Sequence, residues 1–217
     1  MIQLTNVFKF YRIDRHVKII LDHVSAVFES GSSYALLGVN GAGKSTTLRL
    51  IAGTELPNDG KIRRTVRVSW PLGLGSSFHP AMSGRDNLRF IARIYGADIN
   101  KVTRFVEDFA ELGDYLDAPI RTYSSGMFGR LAFAVSMAID FDCYLIDEAT
   151  SSGDARFQAR CEEVFAQRRK YADVIFVTHS MSMVKSYCNK GGVLVDGRII
   201  IFDTVDKAID MYNKLNR

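Results

Sequence analysis

Gly38–Thr46 reads GVNGAGKST, a G-x-x-x-x-G-K-[ST] loop, and its flanks decide what it is. Before it stands SYALL, a short, nearly all-apolar run of the kind found in strands buried on both faces. After it comes TTLRLIA at helical spacing, followed by Gly53, a natural C-cap. A glycine-rich loop between a buried strand and a helix is a phosphate cradle. Glycines let backbone N–H groups converge on phosphate oxygens, and the helix N-terminus adds partial positive charge. The candidate phosphate contacts are Gly38, Asn40, Gly41, Gly43, Lys44, Ser45 and Thr46. Lys44 is placed to neutralise the β- and γ-phosphates of a nucleoside triphosphate, and Ser45 to ligate Mg²⁺.

About a hundred residues downstream, CYLIDE (Cys143–Glu148) delivers two carboxylates at the end of a buried strand. In an open parallel sheet, ligands sit at the strands' C-terminal ends. Asp147 is expected to hold Mg²⁺, and Glu148 to polarise the attacking water as general base.

The remaining elements surround these two. IQLTNVF and KIILDHVSAVF alternate as strands, PNDG (Pro57–Gly60) is a turn, and KIRRTVRVSW reads as one further strand. Ser83 with Asp86 predicts a helix start. Leu88, Ile91, Ala92 and Tyr95 form one apolar stripe, and Val102, Phe105, Val106, Phe109 and Leu112 a second, ended by Gly113. Helices are expected from about Met127, from about Ala155, after His179 and from about Val205. VIFVT is a strand, and Asp196-Gly197 turns a hairpin. Strand–helix alternation with buried strands gives an α/β fold with a mostly parallel sheet.

Composition narrows the class. With 217 residues, 47% hydrophobic and 24% charged, the chain is one folded domain rather than a disordered segment. A net charge of +4 is small, and no aromatics interleave with the basic residues, which argues against nucleic-acid binding. Cys143, Cys161 and Cys188 are odd in number and widely spaced, suggesting neither disulfides nor zinc. MIQLTNVFKFY has no signal-peptide pattern. LAFAVSMAI, the longest apolar run, falls far short of the roughly 20 residues a spanning helix needs.

YSSGM (Tyr123–Met127) lies some 20 residues before Asp147, at the start of an apolar helix. The order phosphate loop, serine-glycine signature, apolar-DE resembles the nucleotide-binding subunits of ABC transporters, over nearly the whole chain. That resemblance implies an ABC-type nucleotide-binding domain over residues 1–217. It would have a RecA-like core, an N-terminal antiparallel β subdomain and a helical subdomain at about 83–135. It also implies ATP with Mg²⁺ and a head-to-tail homodimer that sandwiches each ATP. Ser124 and Gly126 match the family signature LSGGQ, while Tyr123, Ser125 and Met127 depart from it; Ser125 lies beside them on the same anion-binding turn. By the same resemblance Asp154 of SSGDARF lies across the dimer, His179 contacts the γ-phosphate, and Tyr11 stacks on adenine.

The family normally carries a glutamine in the loop after the strand ending near Trp70, yet Val66–Asn87 contains none. Instead LGLGSSFHPAMSGRDNL looks like the G-x-GFHP-x-LTG-x-EN stretch of exporters for capsular polysaccharide, O-antigen and teichoic acid. RLAFA and THSMSMVKSYC look like the same subfamily. The loop, with Gly75, Phe78 and His79, is therefore expected to dock against a permease. Ending at Arg217, the chain most resembles the short capsular-polysaccharide export ATPases of Gram-negative bacteria. The resemblance implies a place on the cytoplasmic face of the inner membrane, a separate integral-membrane permease, and lipid-linked polysaccharide as cargo. Two alternatives stand beside it: a soluble ABC-type ATPase of DNA repair or translation, and an ATP-gated regulatory subunit with little turnover.

Overall fold

The computed structural model describes residues 1–14, 16–72, 78–147, 155–178 and 180–215. They form two compact units. The first takes in Met1–Pro71, Phe141–Glu148 and Ala172–Arg217; the second takes in Leu72–Asp140 and Ala149–Tyr171.

The first unit holds two sheets. Strands β1 (Ile2–Ile13), β2 (His16–Phe28) and β4 (Asp59–Arg64) make an antiparallel sheet in the order β2-β1-β4. The second sheet runs β5-β6-β7-β3-β8-β9, from β3 (Tyr34–Leu37), β5 (Val68–Leu72), β6 (Cys143–Asp147), β7 (Asp173–Val177), β8 (Lys190–Val195) and β9 (Arg198–Phe202). Its β6–β7, β7–β3 and β3–β8 pairs are parallel. Every residue of β3 and of β6 is buried, as a sheet covered on both faces requires. Leu4, Val7, Leu21, Leu36, Leu145, Ile175 and Leu194 join Leu48 and Ile51 of helix α1 (Lys44–Ala52) in one apolar cluster. Each such side chain contributes roughly 1.5–3 kcal/mol through burial.

KIRRTVRVSW is not one strand. It breaks at residues 65–67 into β4 and β5, which belong to different sheets. β4 alternates exposed and half-buried side chains on a one-sided sheet, whereas VSWPL is buried throughout. Pro71 cannot donate to a ladder, and it sits on an edge strand where none is needed on that side. The expected PNDG turn also runs into β4: Gly60 (φ +84) lies where β1 bulges, and a Cβ there would come within 2.1 Å of the Asn6 carbonyl oxygen. Asp196 (φ 46) and Gly197 (φ 73) form the left-handed pair that closes the β8–β9 hairpin. Helices α6 (Met181–Tyr187) and α7 (Val205–Leu215) complete this unit.

The second unit is helical: α2 (Gly84–Ile94), α3 (Ile99–Ala110), α4 (Ser125–Ala138) and α5 (Ala155–Arg168). Ser83 caps α2 by accepting from the Asp86 N–H at 3.0 Å, and its hydroxyl donates to the Asp86 carboxylate at 2.7 Å. Asp98 caps α3. That helix stops earlier than Gly113: Glu111 already adopts φ 51, and Gly113 opens a short turn to Asp117. α4 starts at Ser125, two residues ahead of expectation, because Ser124 is a working cap. The apolar stripes pack inward, and Phe109 anchors them. Its ring lies 5.5, 5.7 and 5.4 Å from those of Phe105, Phe133 and Phe157. Phe157 belongs to α5, which is how that helix joins a unit that sequence placed at about 83–135.

No disulfide joins Cys143, Cys161 and Cys188. Burial pushes the Cys143 and Cys161 thiols up to about 12. Among the described residues no helix is long and apolar enough to cross a membrane.

Candidate nucleotide-binding site

β3 ends at Leu37, the loop runs from Gly38 to Gly43, and α1 begins at Lys44. Two glycines are demanded by contact. A Cβ on Gly38 would sit 2.6 Å from the Leu194 carbonyl oxygen of β8. One on Gly43, at φ +107, would sit 2.4 Å from the Ile20 Cγ2 of β2. Gly41 also has a positive φ, +78. Gly43 offers α1 no side-chain cap, and the first turn holds no acid. The leading N–H groups and the helix dipole are left to an external anion.

Lys44 curls back over the loop, donating to the carbonyls of Gly38 (2.7 Å) and Val39 (3.1 Å). Asp147 ends β6 and, like Lys44, is 9% exposed, in reach of the cavity but shielded from bulk water. A cavity of about 480 Å³ gathers Tyr11, Asn40, Gly41, Gly43, Lys44, Ser45, Thr46 and Asp147. Residues expected from three distant stretches of sequence thus line one space, whose size suits a nucleotide. Glu148, His179, Asp154 and Gly75 lie outside the described residues.

The signature forms its own turn in the helical unit. Ser124 accepts from the Met127 N–H at 3.2 Å, so its hydroxyl proton is still available to an acceptor. Ser124 and Ser125 are exposed. A Cβ on Gly126 would meet only Ser124 Oγ, at an ordinary 3.9 Å. Packing within the chain therefore does not require glycine there. Tyr123 braces the turn by donating to the Tyr115 carbonyl at 2.6 Å.

Residues 21–151 match the family model described as ABC transporter. The chain belongs to the ABC transporter family. This ABC subunit is 46% identical over 215 residues to the "Capsule polysaccharide export ATP-binding protein CtrD" of Neisseria meningitidis, covering 99% of this chain and 100% of the relative. It is 45% identical to "ATP-binding protein BexA" of Haemophilus influenzae over the full length of both. A solved ATP-binding cassette, a dimer in a post-hydrolysis state bound to ADP and phosphate, superposes with a TM-score of 0.72. It covers 92% of this chain and 96% of its own, at 20% identity, and so speaks for the fold alone. With family membership comes the ATPase activity that the phosphate loop and the apolar-DE strand implied.

The FHP stretch of this ABC subunit needs a correction. Phe78 was expected to face a permease, but it is 8% exposed and packs edge-on against Phe128 at 5.6 Å. It is an anchor of the helical unit, because an aromatic ring that finds another ring gains more by burial than by display. His79 and Pro80, by contrast, are exposed. Asn87, which sequence did not single out, fixes this turn. It is 1% exposed, accepts from the His79 N–H at 2.7 Å and donates to the carbonyls of His79 and Ser83. Asn87→Ala is expected to cost about 1–3 kcal/mol in urea denaturation, since it strands buried backbone groups.

Sequence also missed Lys18 and Ile20 in the cavity wall. Lys18 pairs across β1–β2 with Tyr11, so the two share a face; the period-2 pattern held this signal, but register had to be known to use it. Behind Tyr11 lies Glu55. Burial tends to raise its carboxyl, yet hydrogen bonds from Lys9, Tyr11 and Arg49 outweigh it and hold the pKa at about 2.

Proposed function

We propose that this chain is the ATP-hydrolysing subunit of an exporter for capsular polysaccharide. The observation that carries the reading is end-to-end likeness to a protein named for capsule polysaccharide export. The chain acts as one nucleotide-binding domain whose helical part includes the signature turn. ATP binds with its phosphates on Gly38–Thr46 and Lys44, and its adenine against Tyr11. Ser45 and Asp147 are the hard oxygen donors that suit Mg²⁺, and both line the cavity. That ion, when bound, neutralises phosphate charge. Glu148 orients and deprotonates the attacking water, and His179 contacts the γ-phosphate.

A second copy supplies Ser124, Ser125, Gly126 and Asp154. The exposed serines and the sterically unforced Gly126 support an approach from outside the chain. Closure of this homodimer drives an integral-membrane permease that carries lipid-linked polysaccharide, with the subunit on the cytoplasmic face of the bacterial inner membrane. His79 keeps its expected docking role, and the exposed Pro80 joins it in place of Phe78.

The test is a pull-down of the tagged protein from detergent-solubilised native membranes, followed by mass spectrometry. A small polytopic permease in stoichiometric yield is expected. Nucleic acid or ribosomal proteins in its place would remove the exporter reading and leave a non-transport ABC ATPase.

A further inference from the structure

Tyr11 lines the cavity from β1, ahead of the phosphate loop in sequence, and it does not stand alone. Its hydroxyl donates to Glu55 Oε1 at 2.5 Å and accepts from Arg49 Nη2 at 3.3 Å. Arg49 Nε donates to the other carboxylate oxygen of Glu55 at 2.9 Å, and Arg49 Nη2 also reaches Thr46 Oγ1 at 3.0 Å. Lys9 Nζ lies 2.6 Å from Glu55 Oε1, donates to the Leu56 carbonyl at 2.9 Å, and sits 5.1 Å from the centre of the Tyr11 ring. The Lys9 and Glu55 side chains are only 10% and 19% exposed. One carboxylate thus gathers three donors, from β1 on one side and α1 on the other. The same α1 residue touches a phosphate-loop threonine.

A phenol needs no such apparatus merely to pack. Its ring would be satisfied by apolar neighbours and its hydroxyl by water. A hydroxyl locked at one end fixes the plane of the ring at the other, and a wall already in place spares a ligand the cost of ordering it. We propose that Glu55 is a positioning residue for nucleotide binding: through the Tyr11 hydroxyl it sets the ring as a rigid wall for the base, while Arg49 and Lys9 hold Glu55 itself. The inference rests on the reading that Tyr11 stacks on adenine.

Calorimetric titration of the full chain with ATP and with inorganic tripolyphosphate, which has no base, separates the parts. Tyr11→Phe keeps the ring and every ion pair and removes only the tether, and Glu55→Ala removes the anchor. Each is expected to weaken ATP about 3–10-fold, the cost of ordering one side chain, and to move tripolyphosphate by less than about 2-fold. Tyr11→Ala removes the wall and is expected to weaken ATP by about 10-fold or more. If Tyr11→Ala has that effect but Tyr11→Phe binds ATP like the wild type, the tether is overturned and the stacking reading survives. Should Tyr11→Ala leave ATP affinity unchanged, the stacking reading fails and takes the inference with it. Equal losses for ATP and tripolyphosphate would also overturn it, since the network would then be a brace for the fold.

Discussion

Lys44→Ala is expected to lower ATP turnover by about 10²–10³-fold, the effect of removing one preorganised charge donor from a transition state. Lys44 is 9% exposed, and two loop carbonyls hold its ammonium over Gly38–Gly43. The side chain is therefore already oriented over the loop proposed to hold the phosphates, in surroundings where its charge is weakly screened. Alanine keeps the helix, being the best helix former, and leaves the loop's glycines and N–H groups untouched. Loss of activity should accordingly come without loss of fold. Phosphate release by the subunit reconstituted with its permease measures the first, and circular dichroism the second. Turnover within a few-fold of the wild type would mean that the N–H cradle alone carries the phosphate charge, and the clamp role of Lys44 would be wrong.

Phe109→Ala carries the largest expected stability effect, about 3–5 kcal/mol in urea denaturation followed at 222 nm. Phe109 is 2% exposed and touches aromatic rings from α3, α4 and α5 at once. Arg160 lies over its face, 4.9 Å from the ring centre, so collapse into the hole is blocked by a guanidinium as well as by rings. The matched control is Phe90→Ala on α2. At 53% exposure, that change should stay within about 0.5 kcal/mol of the wild type. If the two variants unfold alike, Phe109 is not the keystone of the helical unit.

Local chemistry was legible in the sequence wherever cause and effect lie within a few residues. GAGKST announces its loop because glycines, lysine and helix start are contiguous. Ser83 and Gly53 announce helix ends because a cap acts on its own helix. Asp147 was readable because an apolar run ending in a carboxylate, with a phosphate loop about a hundred residues upstream, places that carboxylate at the C-terminal end of a buried strand. What sequence hid is what long-range packing decides. Tyr11 and Glu55 are 44 residues apart, and nothing in either neighbourhood foretells their bond. KIRR and VSWPL look like one strand until each is assigned a sheet. Phe78 looked like a display residue because a glycine-serine loop precedes it, and only its partner Phe128 shows that it is core.

The wedging of the phosphate loop between strands has a thermodynamic side. Gly38 lies under a carbonyl of β8, and Gly43 lies against a methyl of β2. The cradle keeps its shape only while both strands stay in place, so a triphosphate recognises the folded unit and has no site on the unfolded chain. Linkage then makes the nucleotide a folding ligand. At a free concentration 100 times its dissociation constant, it adds about 2.7 kcal/mol to the stability of the unit that binds it. A well-fed cell holds the protein in its sturdiest form, and a nucleotide-free buffer holds it in its weakest.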